Sequence, residues 1–223
     1  MENEKVNVPN IDSALRQKHI LRIPEEAQAA SGIVVNGRKI KTLVFTTDIA
    51  IIRNCDADAV LAVYPFTPQA AISGAIISAS YIPVFCGVGG GTTQGPRTVM
   101  LAKDVESQGA MGVVLNAPIT DLNLTAVRKS VDIPVIATVP NDEVDIAKRL
   151  EAGASIINVA AAAKTPEVVA KIRKDFPDIP IIASGGNTPE NIKRTIEAGA
   201  NAITFTPPST DELFAPIMAK YRG

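Results

Sequence analysis

Two short phrases alternate along the last two-thirds of this chain. Ile-Pro followed by an apolar run occurs at Ile82-Pro83-Val84, Ile133-Pro134-Val135 and Ile179-Pro180-Ile181. Gly-Ala followed by an apolar run occurs at Gly109-Ala110, Gly153-Ala154 and Gly199-Ala200, each following one of the others in strict alternation. Each phrase recurs about every 44 to 51 residues, too long for one strand-helix unit and right for two, so the repeat is a pair of βα units.

From Lys41 onward, eight apolar runs of strand length are each followed by a helical segment: residues 42–46, 60–64, 83–86, 112–116, 134–138, 155–159, 180–184 and 202–206. Continuous β-branched runs bounded by Gly, Pro and Asp are what parallel strands buried on both faces look like. Helix starts are legible at Thr67-Pro68, Thr165-Pro166 and Thr188-Pro189, a hydroxyl before Pro at the first helical position, and Ser209 with Glu212 resembles a capping box. Helix ends are legible too, since Gly109, Gly153 and Gly199 stand where a left-handed C-cap is wanted. Eight such units in about 180 residues predict a compact α/β fold, the (β/α)8 TIM barrel; the doubly wound rival would want fewer strands and a clear switch point. Residues 41–223 are assigned to the barrel and residues 1–40 to an N-terminal extension. There, a short helix over 11–20 is expected, and Asn36-Gly37 predicts a hairpin over 33–40 that caps one end of the barrel.

Composition narrows the partners. Aromatics are only 4% of the 223 residues, so Ala, Ile and Val must fill the core, and the net charge of −1 recommends neither nucleic acid nor an anionic membrane. Two cysteines offer neither a metal spacing nor a disulfide framework, and no leader or membrane span is apparent, which reads as a cytoplasmic protein. A homo-oligomer stays open, because the helical faces of a barrel can pair.

A barrel carries its chemistry on the loops after the strands, so the candidates are few. Ser184-Gly185-Gly186-Asn187 after the seventh run can aim backbone N–H groups at a phosphate, with Ser209 after the eighth as partner; the bland reading is a tight βα turn. After the third run, Gly87-Val88-Gly89-Gly90-Gly91-Thr92-Thr93-Gln94-Gly95 is long for a structural connection and suits an anion nest or a mobile cover, with Gly87, Gly89, Gly90, Gly91 and Thr92 as ligand contacts. Asn116 is a substrate hydrogen-bonder or a cap. Asp48 is a general base or an N-cap, and Lys164 a phosphate contact, a low-pKa nucleophile or a solvated helix start. Cys86, closing an apolar strand, reads as packed rather than reactive. His19, the sole histidine, lies outside the strands, which disfavours histidine chemistry and His metal clusters; no cofactor or metal is named by the sequence.

The stretch Ile181-Ile182-Ala183-Ser184-Gly185-Gly186-Asn187-Thr188-Pro189-Glu190-Asn191-Ile192, with Glu197-Ala198-Gly199-Ala200, resembles the seventh-to-eighth-strand region of the ribulose-phosphate-binding barrel superfamily. That group includes thiamine phosphate synthase and 2-keto-3-deoxy-6-phosphogluconate aldolase. The resemblance implies a lyase or isomerase acting on a small phosphorylated metabolite. The sixth run, Ile156-Ile157-Asn158-Val159-Ala160, lacks the Schiff-base lysine that an aldolase of this kind would carry, and Thr206-Pro207-Pro208 replaces the usual Gly-Arg or Gly-Ser. Two alternatives accompany it: a non-catalytic metabolite-binding or regulatory barrel, favoured by the shortage of ionisable residues at the strand tips, and a flavin-binding oxidoreductase, whose seventh strand ends in a similar Gly-Gly turn.

Overall fold

A computed structural model describes residues 21–186 and 188–222, together with Pro9, Ile11 and Ser13. The helix expected over 11–20, His19 and Asn187 lie outside the described residues.

Eight parallel strands close into a barrel: β3 (Thr42–Phe45), β4 (Ala59–Ala62), β5 (Val84–Gly89), β6 (Gly112–Leu115), β7 (Val135–Val139), β8 (Ile156–Val159), β9 (Ile181–Ser184) and β10 (Ala202–Phe205), with β10 pairing back to β3. Helices α1 (Ile49–Arg53), α2 (Ala70–Ala79), α3 (Pro96–Ser107), α4 (Asp121–Arg128), α5 (Ile146–Glu151), α6 (Thr165–Asp175), α7 (Pro189–Glu197) and α8 (Thr210–Arg222) follow the strands in turn. The protein is thus a (β/α)8 TIM barrel.

The repeated phrases have a common physical cause. Pro83, Pro134 and Pro180 lack an N–H, yet their carbonyls accept from Val60, Val113 and Ile157 of the preceding strand at 2.8–3.0 Å, so proline begins each strand without breaking the ladder. Gly109, Gly153 and Gly199 have φ of 95°, 107° and 109°. In each case the following alanine N–H reaches back five residues, Ala110 to Val105, Ala154 to Arg149 and Ala200 to Thr195, which is the Schellman closure that needs a left-handed residue. Those alanines are buried, so the same two residues end a helix and start the next strand.

The core has two parts. Outward-facing strand residues such as Val44, Val113, Ile157 and Ile203 pack against the helices. Inward-facing Leu43, Leu61, Phe85, Val114, Ile136, Ile156 and Ile182 fill the barrel, and the antiparallel hairpin β1 (Ile33–Val35) and β2 (Arg38–Ile40) adds Ile33, Val35 and Ile40 to that cluster. The hairpin therefore plugs the N-terminal end of the barrel.

Two features depart from the expected pattern. The third strand runs on to Gly89, so Gly87 to Gly89 are strand, and the connecting loop is only Gly90 to Gly95. That loop is tied down rather than a mobile cover: Gly91 N–H donates to Pro118 O at 2.9 Å, Gly95 N–H to Asn123 Oδ1 at 2.8 Å and Thr98 Oγ1 to Thr93 O at 3.0 Å. At Gly90 the backbone has φ of 116° and lies against Asn116, where any Cβ would fall 2.2 Å from the Asn116 carbonyl oxygen, so glycine is there for close approach. The second departure is α8, which buries none of its residues. The Glu25–Ala29 turn packs against α7, and Leu21 N–H donates to Asn54 O beyond α1, so the N-terminal segment spans the groove that a last barrel helix would fill.

Candidate ligand site at the barrel mouth

Side chains two apart on a strand face the same way, so each inward position has a successor one layer nearer the C-terminal mouth. On five adjacent strands that successor is polar: Val114 leads to Asn116, Ile136 to Thr138, Ile156 to Asn158, Ile182 to Ser184 and Ala202 to Thr204. The barrel interior thus changes from hydrocarbon to neutral hydrogen-bonding groups in one step. These five line a cavity of about 230 Å³ with Phe45, Leu61, Val63, Ala160 and Thr206. It adjoins a cavity of about 360 Å³ that shares Val63 and Asn116 and is lined by Tyr64, Phe66 and the Gly87 to Thr93 strand tip. On the other side, sharing Phe45, is a shallower one of about 490 Å³ between residues 45–48 and 207–212.

Within the central cavity the hydrogen bonds form a chain. Asn158 Nδ2 donates to Thr138 Oγ1 at 3.2 Å, and Thr138 Oγ1 donates to Asn116 Oδ1 at 3.1 Å. Two atoms are left over. Asn158 Oδ1 and Thr204 Oγ1 are buried without a partner among the described residues, on side chains only 5% and 6% exposed. Each such atom costs about 1–3 kcal/mol of desolvation that no described residue offsets.

Charge is confined to the rim. Asp48 caps α1, its Oδ1 accepting from Ala50 N–H at 2.7 Å and Ile51 N–H at 3.3 Å, while Oδ2 accepts from the Thr210 hydroxyl. The Thr210 hydroxyl, assisted by those two amides and opposed by partial burial, holds the Asp48 carboxyl below the usual aspartate range. It is therefore a carboxylate at neutral pH and a poor proton acceptor. Ser209 donates both its N–H and its hydroxyl to Glu212 Oε2, at 2.7 and 2.9 Å, and these bonds hold the Glu212 carboxyl down as well. The capping box at the start of α8 thus engages the donors that a phosphate on Ser209 would need. The Tyr64 hydroxyl accepts from Gln69 N–H at 2.8 Å.

The structure gathers the expected residues unequally. Asn116 and Ser184 meet in the central cavity, and Gly87, Gly89, Gly90, Gly91 and Thr92 line its neighbour beside Asn116. Asp48 and Ser209 share the rim cavity. Gly185 is packed under the mouth, its N–H donating to Thr204 O at 3.3 Å; Gly186, with φ of 75°, is exposed and its N–H bonds no other described group. Lys164 lies apart: it is exposed, ends a short 3-10 turn (Ala162–Lys164), lines none of the three cavities, and its charge is felt by Asp142 on the outer surface. Cys86 is buried, and burial pushes its thiol up to about 12, so it is a packed, unreactive group.

Asn158 and Thr204 were not among the residues the sequence pointed to as ligand contacts, and Thr138 entered only as a strand tip. A signal existed in the step from apolar to polar at the last inward position of neighbouring strands. It can be read only once the inward phase of each strand is known.

No family model matches the chain and no curated protein matches it. Among solved structures, a phosphonopyruvate hydrolase in complex with oxalate and Mg²⁺ superposes with a TM-score of 0.65 at 13% identity, over 84% of this chain and 83% of that one. Phosphoenolpyruvate phosphomutase from Streptomyces platensis subsp. rosaceus gives 0.63 at 14% identity, over 95% and 85%. Thiamine phosphate pyrophosphorylase from Pyrococcus furiosus gives 0.58 at 16% identity, over 74% and 84%. What this chain has in common with all three is the (β/α)8 barrel.

Proposed function

We propose that the protein binds a small polar metabolite in the mouth of the barrel. The observation that carries this reading is the pair of buried polar atoms without a partner among the described residues, Asn158 Oδ1 and Thr204 Oγ1, on two side chains that line one cavity. Buried polar groups are almost always bonded, and exceptions mark places where something else supplies the partner. At about 230 Å³ the central cavity falls below the range of ~300–1,000 Å³ typical of drug-sized ligands, which suits a compound of few heavy atoms.

The charge distribution favours a binding or regulatory barrel. None of the described residues lining the central cavity is ionisable, and the Asp48 carboxylate of the adjoining rim cavity is engaged by α1 and Thr210. A second reading keeps the lyase or isomerase acting on a phosphorylated metabolite. The unengaged N–H of Gly186, two residues before Thr188 caps α7, favours it, since helix N-termini hold phosphate well. So do the activities named for the phosphomutase and the thiamine phosphate enzyme of the same fold. There the phosphate would rest at Gly185 and Gly186, with Asp48 and Lys164 moving protons.

A thermal-shift panel of small metabolites, phosphorylated and not, run on the wild type and on an Asn158→Leu/Thr204→Val double variant, tests the first reading. A compound that raises the wild-type Tm should leave the double variant unmoved; an equal shift in both would place its binding elsewhere. A hit followed by turnover lost in Asp48→Asn would decide for the enzyme.

A further inference from the structure

The hydrogen-bond chain across the mouth does more than hold three side chains in place, because a hydroxyl has one proton to give. Thr138 accepts from Asn158 Nδ2 and spends its own proton on Asn116 Oδ1. The two amides are thereby coupled. Among the described residues, Asn158 is left with a bare acceptor, Oδ1, and Asn116, whose Oδ1 takes the Thr138 proton, with a donor, Nδ2, that bonds no side chain or backbone group. Flipping both amides reverses the direction of the chain and exchanges the two roles, so the outer ends still differ in polarity. Thr204 Oγ1, which can donate or accept, stands unpartnered in the same cavity.

We infer that the ligand of this cavity is a neutral molecule carrying a hydrogen-bond donor and an acceptor side by side, of the carboxamide type, and that it docks by extending the Asn158–Thr138–Asn116 chain at both ends. This rests on the mouth being the binding site, as proposed above. A carboxamide offers N–H to one end and C=O to the other. A carboxylate offers acceptors alone, so one of its oxygens would meet the bare lone pair without a proton between them, and a hydrogen phosphate brings its P–OH donor only together with a negative charge. No cationic side chain lines the cavity to offset an anion. The cavity itself selects charge and polarity, therefore, while its small volume limits size.

The test follows the side-chain amide resonances of Asn116 and Asn158 by ¹H–¹⁵N NMR during titration with propionamide, and separately with propionate and with inorganic phosphate. Propionamide should shift both side-chain amides together, with propionate and phosphate leaving them in place at the same concentrations. Asn158→Leu should weaken propionamide binding about tenfold or more, the loss of one well-made hydrogen bond, and should itself stay folded because the unpaired polar atom it deletes offsets the bond to Thr138 that it gives up. Shifts of the mouth resonances by propionate or phosphate in preference to propionamide would overturn the donor–acceptor inference and leave the mouth standing as the site. If propionamide moves neither amide at any concentration that leaves the protein folded, the inference is overturned; if in addition the Asn158→Leu/Thr204→Val variant keeps every thermal-shift response of the wild type, so is the reading of the mouth on which it rests.

Discussion

The two ends of the barrel treat polar groups in opposite ways. At the N-terminal end the polar groups include formal charges, and they are bonded. Asp58 Oδ2 accepts from the N–H groups of Lys41 and Thr42 at 2.8 and 3.0 Å. The Arg173 guanidinium donates to the carbonyls of Pro177, Ile179 and Gly199 and to Asn201 Oδ1, at 2.6–2.9 Å. Above them the hairpin residues Ile33, Val35 and Ile40 seal the interior. In the central cavity of the mouth the groups are neutral, yet two of them are buried without a partner among the described residues. One end is built for stability alone. The other keeps two buried polar atoms without a partner among the described residues, which is where the proposed ligand would bond.

That contrast can be broken by mutation, and the largest effect should come from the sealed end. Ile136→Ala or Ile182→Ala, each emptying a fully buried position of the interior, should cost about 2–5 kcal/mol in urea unfolding. A loss under about 1 kcal/mol would mean that the interior is not packed as described. Arg173→Ala should cost about 2–3 kcal/mol by the same measurement, because it orphans carbonyls of two successive βα units around a charged donor. Asp48→Ala, at the mouth, should cost about 0.5–2 kcal/mol through loss of the α1 cap.

The Asp48 cap also has a pH signature. Its folded pKa lies below its unfolded one, so its contribution is complete above the ordinary aspartate range and is lost as pH falls through the folded pKa. Acid titration of stability should therefore show a shallower decline below about pH 4 in Asp48→Asn than in the wild type; identical acid limbs would show that Thr210 does not hold the carboxylate. The smallest effect belongs to α8. Deleting residues 211–222 removes no buried side chain and should shift the urea midpoint hardly at all, whereas a marked drop would reveal packing by Leu213, Phe214 or Ile217 against some other surface.

The fold was legible because its punctuation is local. A Schellman glycine followed by a buried alanine, or a proline whose carbonyl alone joins the ladder, needs no knowledge of distant residues to be recognised. The third strand runs past the end the sequence suggests because Gly87, Gly89 and Gly90 read as flexible, when close contact with Val63, Thr98 and Asn116 is what favours glycine there. The last helix opens on the capping box that the sequence shows, but the groove a barrel helix would fill there is spanned by the N-terminal segment, far away in sequence. The site was harder to see still. In strands buried on both faces, the inward and outward positions are equally apolar, so nothing in Ile156-Ile157-Asn158-Val159 shows that Asn158 points inward. Attention to ionisable groups in loops led to Asp48, which the structure places as the cap of α1, and to Lys164, which lies outside the three mouth cavities.

The most direct test of the contrast between the two ends compares, in one set of unfolding curves, the ligand-free stability and the ligand-induced Tm shift of the wild type and of Asn158→Leu/Thr204→Val. The double variant deletes two unpartnered polar atoms and one made hydrogen bond, from Asn158 Nδ2 to Thr138, so its ligand-free stability should stay within about 1 kcal/mol of the wild type, and it should lose the shift given by the compound that stabilises the wild type. A variant that is clearly less stable alone, and that still responds fully to the compound, would show that Asn158 and Thr204 belong to the framework and that the ligand binds elsewhere.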